Sequence, residues 1–213
     1  MNVAAAHDRS IGWYGKLPWV GDFVGQGLPW QRLWDAWLQR CLPVAEAAVG
    51  GGGALRERVR GMAPWQGLLL PADGQARGWC AIVAGSSDRV GRVFPLIVAE
   101  AVPRATLENA SLVRLQARML GLSDWLWDAT AFESLEEFEQ GAASWAASEW
   151  PPVTQPGGAS AITERVADLR RAWPRAASFW WPTEPVPDVR QPVAESWPPS
   201  QGLLLRMLAD GGA

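Results

Sequence analysis

Two runs decide the fold: Trp65-Gln66-Gly67-Leu68-Leu69-Leu70 and, a short way on, Gly78-Trp79-Cys80-Ala81-Ile82-Val83-Ala84. In both, apolar residues follow one another instead of alternating with polar ones. A strand wetted on one side alternates at period two, whereas a strand covered on both sides reads as a continuous apolar run. Pro71-Ala72-Asp73-Gly74 separates the two strands, and its Asp-Gly is a strong turn signal. Gly85-Ser86-Ser87-Asp88 makes a second turn, and a third strand spans residues 90–102, with Gly91 and Pro95 breaking its start. Connections this short pair neighbouring strands antiparallel. The pattern predicts an α+β fold: a mainly antiparallel meander with helices on both faces, as one domain over residues 1–213.

Upstream, residues 11–24 read as a short strand and then a segment bent by Gly12, Gly15, Pro18 and Gly21. Pro29 stands where a first-turn proline belongs, and Trp30, Leu33, Trp34, Trp37, Leu38, Cys41 and Leu42 form one helical apolar stripe. Pro43 is expected to bend or end that helix. The four glycines from Gly50 to Gly53 read as a flexible loop, since no lysine or strand–helix context makes them a phosphate cradle. Downstream, Thr106 is expected to cap a helix to about Leu120, burying Leu112, Leu115, Met119 and Leu120. Ser134-Leu135-Glu136-Glu137 is a capping box for a helix with Leu135, Phe138, Ala142 and Trp145 inward. Ser160 precedes a third helix carrying Ile162, Val166, Leu169 and Trp173, and residues 151–158 form a linker. Ala177 to Trp181 is strand-like, residues 182–200 are a proline-rich irregular segment, and Leu203, Leu204, Met207 and Leu208 close the chain as a helix or a strand.

Composition removes several functions. The chain of 213 residues has a net charge of −3, which lacks the basic excess a nucleic-acid binder needs. Lys16 is its lone lysine, and its single histidine, His7, lies in a loose N-terminal tail of residues 1–10. A Ser-His-Asp or Cys-His system would have to borrow that tail residue. Cys41 and Cys80 are expected to be two buried thiols, with no zinc spacing between them. No P-loop, GxGxxG or HExxH occurs, so neither metal nor cofactor is expected. No integral membrane segment and no signal peptide is apparent, which predicts a cytoplasmic protein. Peripheral membrane contact through Trp30, Trp34 and Trp37 is a minor alternative, because the same stripe serves as core. Of the 15 tryptophans, most fit core positions, while Trp19, Trp150 and Trp197 stand beside prolines or loops, as anchors of protein contact do.

Two charged motifs remain. In Gly15-Lys16-Leu17-Pro18-Trp19-Val20-Gly21-Asp22-Phe23 the glycines and proline bend the chain and bring Lys16 and Asp22 side by side. In Asp88-Arg89-Val90-Gly91-Arg92-Val93-Phe94-Pro95-Leu96, Ser87 or Asp88 is expected to bond nearby backbone N–H groups, leaving Arg92 for Asp22 or another carboxylate. Lys16, Asp22, Asp88, Arg89 and Arg92 thus form a candidate cluster on a scaffold of Gly15, Pro18, Gly21, Phe23, Gly91, Phe94 and Pro95. Three readings stand open: an ion-pair network that fixes the fold, a partner-binding surface, or a catalytic Lys/Asp/Arg group acting on a small molecule.

These motifs carry a family resemblance. Trp13-Tyr14-Gly15-Lys16-Leu17-Pro18, then Gly21-Asp22-Phe23-Val24, Leu28-Pro29 and Trp34-Asp35-Ala36-Trp37-Leu38 resemble the start of TagF-type (ImpM-type) proteins of bacterial type VI secretion. Ser86, Asp88, Val90, Gly91, Arg92, Phe94, Pro95 and Leu96 match the family's second hallmark, and Pro64-Trp65 with Gly67-Leu68 fits the strand before it. The resemblance is dense from Gly12 to about Val98. It implies a non-enzymatic regulator that represses secretion after translation by binding the forkhead-associated-domain scaffold protein of that system; a structural component of the secretion assembly is the alternative. Some members are fused to a PppA-type phosphatase, whose metal-binding clusters this sequence lacks, so the resemblance implies the stand-alone form.

Overall fold

The computed structural model describes residues 10–70, 75–129, 131–150, 166–172, 174–183 and 192–209. Its strands are β1 (Ile11–Gly15), β2 (Val24–Gln26), β3 (Trp65–Leu69), β4 (Arg77–Ala84), β5 (Leu96–Pro103), β6 (Ser178–Pro182) and β7 (Val193–Glu195). They form one antiparallel sheet in the order β2-β1-β5-β4-β3-β6-β7. The central β3-β4-β5 meander is the one the two apolar runs predict. Two additions extend it: β1 pairs with β5, Tyr14 opposite Ile97, and β6 pairs with β3, Phe179 opposite Leu68.

The helices are α1 (Gln31–Val49), α2 (Gly52–Arg60), α3 (Arg104–Asn109), α4 (Leu112–Ala129), α5 (Leu135–Ala147), α6 (Val166–Ala172) and α7 (Gln201–Ala209). They explain the unbroken apolar runs. Successive strand residues serve two separate cores: Cys80 and Ile82 pack with α3 to α6, while Ala81 and Val83 pack with α1, α2 and α7. Leu96 and Val98 divide from Ile97 and Ala99 in the same way, as do Trp13 from Tyr14 and Phe179 from Trp180. With side chains of period two buried on both faces, the central strands β3, β4 and β5 carry apolar residues on successive positions, unlike the short edge strands β2 and β7.

Several boundaries differ from the sequence reading. The third strand begins at Leu96, because residues 86–94 fold into a small hairpin of their own. Pro29 precedes the N-cap residue Trp30 instead of lying in the first turn. Pro43 does not end α1; the carbonyl it deprives belongs to Gln39, which is exposed and can turn to water. Gly50, with φ 93°, terminates α1, and α2 starts two residues later, so the glycine loop is shorter than predicted. Thr106 caps nothing: it lies inside α3, and the helix starts again after Ser111, whose hydroxyl accepts from the Arg114 N–H. The buried stripe of α4 runs on to Leu122 and Leu126, and Leu120 is exposed.

Ser134 caps α5 as predicted, accepting from the Glu137 N–H, but Leu135 is exposed. The proline-rich segment holds β7, and the chain closes as a helix. Residues 1–9, the Asp-Gly turn, Thr130, residues 151–165 with Ser160 and Ile162, Trp173, residues 184–191 and residues 210–213 lie outside the described residues. Trp19, Trp150 and Trp197 are packed against the cores; among the described residues the tryptophan left exposed is Trp127. Trp34, Trp37, Leu38 and Cys41 of the α1 stripe are buried and serve as core, but Leu33 faces solvent. No described helix is long and apolar enough to cross a membrane.

Candidate contact site where two loops are stitched together

Because β1 and β5 are neighbours, the loop leaving β1 and the loop entering β5 emerge at the same end of the sheet. The first begins with Gly15, at φ 151°, where a Cβ would lie 2.7 Å from the Leu96 Cα, so no side chain fits. A turn follows, closed by the Val20 N–H to the Leu17 carbonyl with Pro18 at its second position, where its fixed φ suits the bend. Gly21 has an ordinary φ and room for a Cβ, so its predicted backbone role is not needed. The second loop is a hairpin closed by Asp88-Arg89-Val90-Gly91: the Gly91 N–H donates to the Asp88 carbonyl (2.9 Å), and Gly91 sits at φ 82°.

Asp88 holds the two loops together. Its Oδ1 accepts from the Val90 (3.1 Å) and Arg92 (2.8 Å) backbone N–H groups, the local bonding expected of a turn aspartate. Its Oδ2 accepts from Lys16 Nζ (2.5 Å) and Arg92 Nε (2.6 Å). Lys16 is only 5% exposed and Asp88 3%, so this is a buried charge pair carried on an exposed arginine. Three further bonds join the loops: Ser86 Oγ to the Lys16 carbonyl, the Arg89 N–H to the Val20 carbonyl, and Arg92 Nη2 to the Gly21 carbonyl. Burial works to raise the Asp88 carboxyl, but the hydrogen bonds from Lys16 and Arg92 outweigh it and hold the group well below its ordinary 3.8.

Phe23 covers this clasp. Its ring stacks on Tyr14, meets Phe94 edge-on at 4.7 Å, and lies under Lys16 Nζ at 4.8 Å. Phe94 and Pro95 are buried beneath. The structure therefore brings together Lys16, Asp88 and Arg92. Asp22 is outside the group: it is exposed and has no ion pair or hydrogen bond among the described residues. Lys16 and Asp22 are not paired, and neither are Arg92 and Asp22. The reason is local: Arg92 reaches Asp88 across its own hairpin, and the turn at Pro18 carries Asp22 to the surface. Arg89 is exposed, with its guanidinium beside Gly21.

Two contributors escaped the sequence reading. Ser86 belongs to the quoted motif, but nothing in its spacing points to the Lys16 carbonyl. Arg60, at the end of α2, places its guanidinium beside Gly91, where a Cβ would be 3.1 Å away. Both thiols are buried; burial first, then the negative Glu100, pushes Cys80 up from 9.0, and burial raises Cys41 as well. Neither has the depressed pKa of a nucleophile.

Residues 12–144, which hold both loops and most of the sheet, match the model of a type VI secretion system-associated family, the TagF N-terminal domain. The match takes in more than half of the chain, and the chain belongs to that family. Among solved structures, it is similar to the crystal structure of PA0076 from Pseudomonas aeruginosa PAO1. The two share 28% identity over 96% of each chain, with a TM-score of 0.64. No curated protein matches it.

Proposed function

We propose that this chain is a non-enzymatic, cytoplasmic regulator of type VI secretion that binds the forkhead-associated scaffold protein of the apparatus and holds it inactive. The observation that carries the non-enzymatic reading is the saturation of Asp88. Four donors, Lys16 Nζ, Arg92 Nε and the Val90 and Arg92 amides, occupy its two oxygens. A carboxylate with both oxygens engaged and its pKa driven down has no capacity left to take a proton from a substrate at neutral pH. Lys16 is buried against it, its ammonium bonded to Asp88 and facing the Phe23 ring. What the clasp does supply is a stiff platform of irregular loops on a rigid sheet, the usual setting of a recognition surface. Family membership supplies the system in which such recognition acts.

The test pairs two measurements: capture of the scaffold protein by the purified chain, and secretion with the gene present, deleted and restored. Binding together with raised secretion on deletion is the expected result. No binding and unchanged secretion would end this reading.

A further inference from the structure

We infer that the apex of the 88–91 turn, with Phe23 beside the clasp, is the tip by which this chain docks, and that it fits an acidic protein surface containing an apolar recess. This rests on the reading of the chain as a binding regulator. Val90 occupies a central position of a tight turn, a place usually held by glycine, proline, asparagine, aspartate or serine. It is β-branched, stiff, and 68% exposed, so neither the turn nor the core accounts for it. Residues placed against local preference without a packing gain mark functional positions. Phe23, at 43% exposure, adds a second apolar surface on the facing loop.

Arginines frame this tip. Arg89 and Arg92 flank Val90, both exposed, and Arg60 reaches Gly91 from α2. The Asp88 charge is sequestered beneath them, leaving Asp22 on these loops and Glu57, 3.6 Å from Arg60, as the nearby exposed acids. In a chain of net charge −3 this is a local positive excess, and its complement is acidic. The tip is also held in place. Arg92 is fixed through Nε to Asp88 and through Nη2 to Gly21, and the Arg89 backbone is bonded to Val20. Little ordering entropy is then lost on docking. A single-stranded nucleic acid could stack a base on Phe23 but would leave Val90 unused, and the overall charge opposes it.

The test uses Arg89→Glu and Val90→Asp, singly and together. Neither side chain takes part in the clasp, and thermal midpoint and circular dichroism verify the fold. Binding of each purified variant to the scaffold protein is measured alongside its ability to repress secretion when supplied to a strain lacking the gene. Each single change is expected to weaken binding by about tenfold or more, with repression falling in parallel, and wild-type binding to weaken as salt rises. Folded variants that bind and repress like wild type overturn the tip and leave the regulatory reading intact. A wild-type chain that represses without binding the scaffold, while the variants do not repress, overturns that partner and supports the tip. A wild-type chain that neither binds nor represses overturns both, and tighter binding of an oligonucleotide than of the scaffold overturns the protein surface as the occupant.

Discussion

Arg118 and Glu100 form a two-bonded ion pair (Nε to Oε2 2.7 Å, Nη2 to Oε1 3.0 Å) with both side chains sealed from solvent. Glu100 lies on β5 and Arg118 on α4, so the pair ties one helical layer to the sheet. The guanidinium also donates to the Trp145 and Glu149 carbonyls and to Ser148, closing the end of α5, and lies 4.1 Å over the Trp145 ring. Removing one partner strands the other charge in the core. Arg118→Ala is expected to cost about 3–5 kcal/mol in denaturant unfolding, and Glu100→Leu with Arg118→Met to recover part of that. Recovery stays incomplete because the Glu149 carbonyl beyond α5 loses its Arg118 donor, whereas the Trp145 carbonyl keeps the Ser148 N–H and hydroxyl. A single variant as stable as wild type would rule out this account.

How much of this was legible in the sequence follows from the range of each interaction. The covered central strands, the α1 stripe and the Ser134 cap depend on residues close in the chain, and their patterns are visible there. The pairing of β1 with β5 and of β6 with β3 depends on distant segments, and no local periodicity encodes it. The break between α3 and α4 hides in a residue, Ser111, that looks no better a cap than Thr106. The site shows the same division. Residue types and turn chemistry around Asp88 are readable, whereas the acid that pairs with Lys16 is not. Asp22 is six positions away and Asp88 is 72, and only the β1–β5 adjacency favours the distant one.

Gly67, in the middle of β3, faces the Trp180 ring across the β3–β6 pair, and a Cβ there would run into that ring. Trp180 is fully buried and its Nε1 donates to Ser178 Oγ at 2.9 Å, so it has nowhere to move. Gly67→Ala is therefore expected to destabilise the chain by about 1–3 kcal/mol through overpacking. Gly53→Ala is the control: nothing lies within 4 Å of its added methyl, and it falls inside α2. It is expected to be neutral or stabilising by up to about 1 kcal/mol. Equal effects of the two changes in thermal unfolding would contradict this packing argument.

Tyr14 is the chain's single tyrosine, so its titration can be followed directly. Burial, then the hydrogen bond it donates to Asp35 (3.0 Å) and that residue's negative charge, push its pKa from 10.0 up to about 12. The neutral phenol is the form the fold favours. Its contribution is complete below pH 10 and is lost as pH climbs from 10 toward 12, because the unfolded chain ionises first. Phenolate absorbance against pH is expected to show a midpoint near 12 in the folded protein. Asp35→Asn removes the charge and leaves burial, so the midpoint moves only part of the way down. An ordinary midpoint in the folded wild type would count against the buried contact.

Asp88 works in the opposite direction. Its carboxyl is held below the ordinary 3.8, so the folded chain keeps the anion to lower pH than the unfolded one. The clasp's contribution is therefore full above that value. It falls away as the pH drops below 3.8 toward the folded pKa, where the unfolded chain takes up the proton first. Asp88→Asn abolishes this titration and leaves Lys16 buried without its counter-ion. The variant is expected to be less stable than wild type at neutral pH and to lose less of its stability on acidification. The two unfolding curves thus converge at low pH. Lys16→Met, which removes one hydrogen bond and leaves the three others, is expected to shift Asp88 back only part of the way. Unfolding free energies measured from neutral pH down to pH 2 decide the matter, and parallel curves for wild type and Asp88→Asn would show that the clasp is not held by charge.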